Sequence, residues 1–362
     1  MNSVVESEIG QVDRILILGW GLIGDLFIRI PLIEALKDRF PHAAITVVVD
    51  PPSVAVLENH PACDQVIAFS REKRPLIKYV ARFVALALRL RNADFNLCIN
   101  LYCGGSSPWI TWLSNADIRI SFDHTPALRW SNNLMVPRPS FCNNWTLDFA
   151  RMLRPLGISS NKILRGAHFY CSEEAKHFAK ALLLSRGQQL IAINLGAGAD
   201  EKRWPVARFV ELAMKVNHGY GIRPLVFTNP GMESLADEFV EQYSGDVVHV
   251  PLLSLDKVAA LMQHCDYVIS GDTALMHLAF ALKRPTLVLF THTRPEPVAP
   301  VGVHYVSCFV EGHCETDPCG NLMGTVDIPL DEVYRQFCNL VRFTSNVNDG
   351  LQVSLKGKKN DQ

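Results

Sequence analysis

The sequence predicts an α/β protein with two Rossmann-like halves that face one cleft. Short buried apolar runs, typical of strands, alternate with segments of helical periodicity, and this alternation indicates a parallel sheet covered by helices. The alternation begins near residue 14 and begins again near residue 190. A chain of 362 residues is also too long for one ordinary core, and at about 150 residues per domain it indicates two.

The first half begins with a strand at residues 14–18, which a glycine-rich turn joins to a helix over residues 25–39. Residues 44–49 and 95–100 are predicted to be further strands of the same sheet. We predict a first domain over residues 1–160, with the turn-rich segment 154–161 as the linker.

The second half has the same alternation. Its predicted strands are residues 190–195, 223–227, 267–270 and 286–290. Leu275, Leu278 and Leu282 recur at helical spacing between the last two strands. We predict a second domain over residues 161–342 and a disordered, solvated tail over residues 343–362.

A basic amphipathic helix is predicted over residues 71–91, where seven lysines and arginines alternate with large apolar residues. Its apolar face can cover the sheet, which an α/β half requires. Such a helix can also lie on an anionic membrane, and both roles are compatible.

Composition excludes several classes of protein. The chain is 48% hydrophobic and 20% charged, which is typical of a globular protein, and its net charge of −1 gives no general attraction to nucleic acid. The first residues resemble no secretory signal, and no uncharged apolar run approaches the roughly 18 residues of a spanning helix. We therefore expect a cytoplasmic protein.

Ten cysteines are spread without a regular framework, and in such a chain they are expected to be reduced thiols. Cys308, His313, Cys314 and Cys319 fall within one short stretch but form no CxxC pair. These four residues are either a structural metal site or free thiols in a loop.

The turn after the first strand matches a dinucleotide-binding fingerprint at Gly19, Gly21 and Gly24, with Asp50 at the end of the next strand. This pattern predicts an NAD(P)-dependent oxidoreductase that uses Gly19–Gly24. However, Asp25 follows at the helix start, where its charge would compete with a pyrophosphate for the helix dipole. Asp25 is better placed to act as a general base, or to cap the helix.

Polar residues also follow the strands of the second half. Gly196 and Gly198 lie in a loop whose backbone N–H groups can approach phosphate oxygens, and Lys202 adds a positive charge. Asp272, Thr273 and His277 lie at a strand end and in the first turn of the next helix, where anions bind.

Each of these second-half residues also has a purely structural interpretation. Asp272 or Thr273 can cap the helix, and His277 can be a half-buried core side chain. Lys202 can be a solvated lysine. Glu233 either accepts hydrogen bonds from a ribose or is an ordinary acid of a first helical turn.

In these motifs, taken in order, the chain resembles the ADP-heptose:lipopolysaccharide heptosyltransferases, glycosyltransferase family 9. The motifs are Gly24-Asp25-Leu26 with Pro31, residues 116–120, residues 196–205 with Lys202, Gly231 with Glu233, residues 271–279, and the cysteines near residue 314. The resemblance implies a GT-B fold, with acceptor binding in the first half, nucleotide-sugar binding in the second and no metal requirement.

Carried over residue by residue, the resemblance implies that Asp25 is the catalytic base. It also implies that Lys202 neutralises the donor diphosphate, that Glu233 binds the nucleotide, and that Asp272, Thr273 and His277 contact the donor. Three of these motifs depart from the family pattern. Gly19, Gly21 and Leu22 replace a basic residue and hydroxyls, Ala197 and Gly198 replace hydroxyls, and Ala274 replaces a glycine.

The function that these residues predict is inverting transfer of a sugar from ADP-heptose or a similar donor to a lipopolysaccharide-core or other glycan or glycolipid acceptor. It would take place at the cytoplasmic face of the inner membrane, with possible peripheral contact through residues 71–91. The oxidoreductase remains the first alternative. The second is a GT-B-like binding protein without turnover.

Overall fold

The computed structural model describes residues 11–123, 126–139, 144–183, 188–198, 203–291, 294–300, 307–311 and 328–357. The chain divides into two compact units. The first ends at Tyr170 and also includes a return segment that begins at Glu296, and the second contains the remainder. Each unit is built around one parallel sheet.

The first unit contains six strands and seven α-helices among the described residues. In chain order they are β1 (Arg14–Leu18), α1 (Ile23–Arg39), β2 (Ala44–Val49), α2 (Val54–Leu57), β3 (Gln65–Ala68), α3 (Leu76–Arg91), β4 (Leu97–Asn100), α4 (Ser107–Leu113), β5 (Ile118–Asp123), α5 (Pro126–Ser131), β6 (Leu134–Pro137), α6 (Trp145–Ala150) and α7 (Ser160–Ile163). The strand order is β3-β2-β1-β4-β5-β6, and every pair is parallel.

The second unit has the same plan. Its elements are α8 (Glu173–Leu183), β7 (Leu190–Asn194), α9 (Val206–Tyr220), β8 (Arg223–Phe227), α10 (Glu233–Gln242), β9 (Val248–His249), α11 (Leu255–Met262), β10 (Tyr267–Gly271), α12 (Ala274–Ala281), β11 (Thr286–Phe290), α13 (Pro295–Val298, at the junction with the return segment), β12 (Ser307–Glu311) and α14 (Leu330–Gly357). The parallel strand order is β12-β11-β10-β7-β8-β9.

The central strands explain why continuous apolar runs predicted this fold. Ile15, Leu16 and Ile17 of β1 are fully buried, because helices cover both faces of a parallel sheet. β7 and β10 are buried in the same way. The predicted α/β class with two parallel-sheet, Rossmann-like domains is confirmed.

The chain order of the strands reverses direction between β1 and β4 in the first sheet and between β7 and β10 in the second. In open α/β sheets ligands bind at such switch points, outside the carboxyl ends of the strands. The relevant loops therefore follow β1 and β4 in the first unit, and β7 and β10 in the second.

Three predicted segments differ from the structure. Residues 71–75 are not helical, because Pro75 disfavours helix at the residue before it, so α3 begins at Leu76. The predicted linker belongs to the first unit, where it forms a 3₁₀ helix at Arg151–Leu156 that buries Met152 and Leu153, and the units divide after Tyr170 rather than after residue 160. The backbone of residues 343–357, predicted as a tail, continues α14, since no proline interrupts it.

None of the helices in the described part of the chain combines the length and the apolar character needed to span a membrane.

Candidate active site

Asp25 lies in the first turn of α1, at the carboxyl end of β1. Leu22 is the N-cap residue of α1, and its backbone N–H donates to Asp25 Oδ2 at 2.9 Å. Asp25 therefore satisfies one of the N–H groups left free at a helix start, although it is not the N-cap itself. This hydrogen bond fixes the direction of an exposed carboxylate.

Arg29 lies one turn further along α1 and is buried, with 6% of its surface exposed. Its Nη1 donates to the carbonyl oxygens of Gly19, at 3.1 Å, and Trp20, while its Cζ lies 5.2 Å from the centre of the Phe149 ring. Burial lowers the pKa of the Arg29 guanidinium, and the negative charge of Asp25 opposes this shift. Arg29 thus places a cation next to the candidate base.

Asp50 holds the same turn from the other side. Its Oδ2 accepts the Gly21 N–H at 2.9 Å, and Arg71 donates to both of its carboxylate oxygens, at 2.9 and 2.7 Å. The hydrogen bond to Asp50 raises the pKa of Arg71. The dinucleotide fingerprint assigns the Asp50 carboxylate to a ribose, but in the structure this carboxylate binds the Gly21 N–H and Arg71 instead.

Asp25 and Arg29 line a cavity of about 260 Å³ in the first unit. Aromatic side chains form much of its wall: Trp20, Tyr102, Phe122, Trp145 and Phe149. Arg138 also lines it and has no ion pair or hydrogen bond within the described residues. Aromatic rings, fixed donors and a carboxylate together suit a polar ring with hydroxyl groups.

The sequence prediction missed Arg29, Tyr102 and Arg138. Arg29 had a usable signal, because it is the only charged residue in the apolar run from Leu26 to Ile33. A charge inside such a run needs a buried partner. Tyr102 follows β4 at the switch point, but only the strand order identifies that position.

In the second unit, Thr273 is the N-cap residue of α12, but its side chain does not accept a hydrogen bond from the helix. Instead, Asn194 Nδ2, at the end of β7, donates to Thr273 Oγ1 at 2.9 Å and to Ser270 Oγ at 3.1 Å. The two hydroxyl oxygens are 3.2 Å apart. This network joins the ends of β7 and β10, and the prediction did not include Asn194 or Ser270.

Gly196 and Gly198 have different environments. The Gly196 N–H donates to Asn194 Oδ1 at 3.2 Å, and a Cβ at Gly196 would lie 2.6 Å from the Asn229 amide group. A Cβ at Gly198 would meet nothing within 4 Å. A side chain at position 196 would therefore force the Asn229 side chain to move, whereas Gly198 is the more open position of the loop.

The start of α12 presents free backbone donors. Met276 and His277 donate their N–H groups to the Thr273 carbonyl, whereas those of Ala274 and Leu275 have no acceptor within the part of the chain that is described. Asp272 is half-buried before this helix, and His277 is buried in its first turn. Asp272, Thr273, Ala274 and His277 thus come together at an end of β10 that can receive an anion.

Glu233 is the first residue of α10 and is exposed, and its Oε1 accepts the Gly231 N–H at 3.2 Å. Lys202 lies outside the described residues. The structure thus locates every predicted second-unit site residue except Lys202.

The described residues contain no group of three or more His, Cys, Asp or Glu side chains arranged to hold a metal ion. Of the predicted metal candidates, Cys308 contributes backbone to β12, whereas His313, Cys314 and Cys319 lie outside the described residues. Cys63, Cys98, Cys103, Cys171, Cys265 and Cys338 are free thiols, as expected.

Comparison with known proteins agrees with this architecture. The model of glycosyltransferase family 9 (heptosyltransferase) matches residues 83–321. Lipopolysaccharide heptosyltransferase 3 of Escherichia coli is 24% identical over 279 residues, which cover 75% of this chain and 81% of that protein.

Two solved structures share the fold. A family 9 glycosyl transferase from Veillonella parvula aligns with a TM-score of 0.79 at 22% identity, over 91% of this chain and 97% of that one. The ADP-heptose LPS heptosyltransferase II of E. coli aligns with a TM-score of 0.74 at 18% identity, over 92% and 99% of the two chains. The GT-B fold class is therefore confirmed.

The family match extends over more than half of the chain and includes the loops after β4, β7 and β10. The match excludes the oxidoreductase alternative. The structure agrees, because Asp50 accepts hydrogen bonds from the Gly21 N–H and from Arg71. The chain belongs to glycosyltransferase family 9, the heptosyltransferase family, and is a glycosyltransferase.

Proposed function

We propose that this enzyme transfers a heptose or similar sugar, with inversion, from ADP-heptose to a lipopolysaccharide-core or other glycan or glycolipid acceptor, with Asp25 as general base. The observation that carries the proposal is the exposed Asp25 carboxylate, held by the Leu22 N–H at the wall of an aromatic cavity. A base must be fixed in direction and accessible to the hydroxyl that it deprotonates, and Asp25 meets both requirements.

The first domain would bind the acceptor. Tyr102, Phe149 and the other aromatic side chains of the cavity offer faces on which a sugar ring can lie, and Arg29 and Arg138 supply donors for its hydroxyl or acidic groups. Asp25 would remove the proton from the attacking hydroxyl. The buried Arg29 keeps a positive charge near the Asp25 carboxylate.

The second domain would bind the donor. The free N–H groups of Ala274 and Leu275 and the hydroxyl network around Thr273 suit the diphosphate, and Lys202 would neutralise part of its charge. Glu233 would bind the nucleoside, and Asp272 and His277 would contact the sugar. ADP-heptose is the donor for which the structurally similar E. coli enzyme is named, and we extend it to this chain as part of the proposal.

The reaction would be one displacement. The acceptor oxygen forms a bond to the anomeric carbon while the bond from that carbon to the diphosphate breaks, and ADP leaves with the electron pair. Asp25 receives the acceptor proton. Attack from the face opposite the leaving group inverts the anomeric centre. No step is assigned to a metal.

A glycolipid acceptor would place the enzyme at the cytoplasmic face of the inner membrane, with residues 71–91 towards the lipid.

The Asp25→Asn variant tests the base. The amide oxygen that this substitution introduces can still accept the Leu22 N–H but cannot take a proton, so we expect kcat to fall by roughly 10²–10⁴-fold. Binding of ADP, measured by calorimetry, should stay within about twofold because Asp25 belongs to the acceptor side.

Asp38→Asn is the matched control. Asp38 lies on the same helix and pairs with Arg165 away from the cavity, so its loss should leave kcat unchanged. If the Asp25→Asn variant retained more than a tenth of wild-type turnover, with the same thermal unfolding temperature, Asp25 would not be the base.

A further inference from the structure

Helices α3, α4 and α5 cover one face of the first sheet. Leu86 and Leu90 of α3 and Ile110 of α4 share a core cluster with Leu16 and Leu18 of β1. Leu128 anchors α5 and is fully buried. The outward side of these three helices, which we call the α3–α5 surface, carries half of the exposed large hydrophobic side chains found among the described residues.

The outward side of α3 is apolar. Ile77, Val80, Val84 and Leu88 follow one another at helical spacing, and Ile77 is 80% and Leu88 56% exposed. Leu86, Ala87 and Leu90 lie on the opposite, buried side of α3 and pack against the sheet. The exposed stripe is therefore not needed for the core. A contiguous exposed apolar patch of this kind marks an interaction surface.

Three tryptophans extend this surface onto α4 and α5. Trp130 lies edge-on to Trp109, with ring centres 4.8 Å apart, and to Trp112, with ring centres 6.1 Å apart. Their exposed fractions range from 45% for Trp130 to 54% for Trp109. Tryptophan is enriched where a protein meets the boundary between lipid and water, because its ring is apolar and its N–H is polar.

Positive charges border the apolar stripe. Lys73, Arg74, Lys78, Arg89 and Arg91 are exposed and form no ion pair within the described residues. No acidic residue occurs from Lys73 to Arg91. Arg71 is different, since Asp50 holds it beside the active-site turn.

We propose that the α3–α5 surface binds an anionic lipid bilayer, with the Ile77 to Leu88 stripe and the tryptophans at the level of the headgroups and the basic residues against lipid phosphates. The exposed apolar side chains match the acyl-chain region of a bilayer, and the unpaired cations around them match its negatively charged headgroups. An acidic protein would satisfy the charges but not the large apolar area. The choice of a membrane rests on the glycolipid acceptor of the proposed function, whereas the surface itself does not depend on Asp25.

Co-sedimentation with vesicles tests this inference on the full chain. We expect binding to vesicles of phosphatidylglycerol and phosphatidylcholine, at least tenfold weaker binding to phosphatidylcholine alone, and weakening by salt. Substituting Lys73, Arg74 and Lys78 by Gln should reduce binding at least tenfold, as should substituting Ile77, Val84 and Leu88 by Ser. Lys180, Lys283 and Arg342, exposed cations of the second unit, provide a control of equal charge change, and their replacement by Gln should have no effect.

Fluorescence identifies the part of the molecule that contacts lipid. Brominated lipids should quench Trp109, Trp112 and Trp130, whereas Trp20 and Trp204 are buried and should be unaffected. The Trp112→Ser variant should lose part of the quenching. Unchanged binding by both triple variants, or equal affinity for neutral vesicles, would overturn the proposal.

Two further results separate this proposal from its rivals. If the Ser triple variant converts an oligomer to a monomer, measured by light scattering, and vesicles bind neither protein, the surface is a protein interface and the membrane proposal is wrong. Turnover on a soluble acceptor should be unchanged in both triple variants, with unaltered unfolding temperatures. If wild-type enzyme binds vesicles but transfers no sugar, the proposed function fails and this inference stands.

Discussion

Gly21 lies against Asp25 and Arg29, two of the charged side chains that line the first-unit cavity. Its φ of +143° belongs to a region that residues with a side chain rarely adopt. A Cβ there would lie 2.7 Å from Asp25 Oδ2 and 3.1 Å from Arg29 Nη1. The turn can therefore hold both charged groups only if residue 21 has no side chain.

We expect Gly21→Ala to reduce kcat by roughly 10²-fold, because a displacement of about 1 Å at a catalytic group has that effect. Gly221→Ala is the control, since Gly221 also has positive φ, +68°, but a Cβ there would meet nothing within 4 Å. The control should lose about 1–2 kcal/mol of unfolding free energy and keep its kcat. Similar kcat values in the two variants would show that the turn does not position Asp25.

Single residues also mark the limit of prediction from sequence. Asp25, Thr273 and Asp272 were identifiable because each follows a strand and begins a helix. Asn194 and Ser270 lie at the ends of buried strands, so the sequence pattern indicates only that they belong to those strands. Their shared contact with Thr273 depends on β7 and β10 being neighbours in the sheet. That pairing brings residues 76 positions apart within hydrogen-bond distance, which local periodicity does not encode.

At the scale of elements, the two glycines of the loop after β7 differ in the space around them. We expect Gly196→Ala to weaken ADP binding roughly tenfold or more, equivalent to about 1.4 kcal/mol, because the added Cβ must displace Asn229 or the loop. Gly198→Ala should bind ADP as the wild type does, since that position is open. Titration calorimetry with ADP measures both variants, and equal affinities would remove this loop from the donor site.

The central strands were predictable and the edge strands were not. β1, β2, β8 and β11 have the predicted limits because, after their first residues, they are buried and almost entirely apolar. β3 has one buried residue out of four, and β9 is only two residues long. A short, half-exposed edge strand lacks the apolar run by which a strand is recognised.

At the scale of the whole molecule, Glu34 connects α1 to the chain that leaves the first unit. Its Oε1 lies 2.9 Å from His168 Nδ1 and 3.2 Å from His60 Nε2. His60 Nδ1 accepts the Ala62 N–H, so Nε2 carries the proton and donates to Glu34. Burial alone would raise the pKa of Glu34, but the hydrogen bonds from His168 and His60 outweigh it and hold that pKa below its ordinary value of 4.5.

This pKa predicts how stability depends on acidity. At a pH between the Glu34 pKa of the folded chain and that of the unfolded chain, Glu34 is protonated in the unfolded chain and ionised in the folded one. The contribution of Glu34 to the free energy of unfolding is therefore complete above about pH 4.5 and is lost as the pH falls through the pKa of the folded state. Urea unfolding of Glu34→Gln should show lower stability than wild type at neutral pH and a smaller decline on acidification. Glu58→Gln, at an exposed carboxylate, should follow the wild-type curve, and parallel wild-type and Glu34→Gln curves would contradict the assignment.

The return segment that begins at Glu296 limits how this gene can be recombined. Asn144, the N-cap residue of α6, donates its amide to the carbonyls of Glu296 and Ala299, so part of the first domain is encoded far downstream of the rest. A hybrid that takes residues 1–170 from one relative and the remainder from another would combine most of the first unit of one protein with the return segment of the other. Exchange of the whole first unit between relatives therefore requires three crossover points rather than one, because residues of the second unit lie on both sides of the return segment.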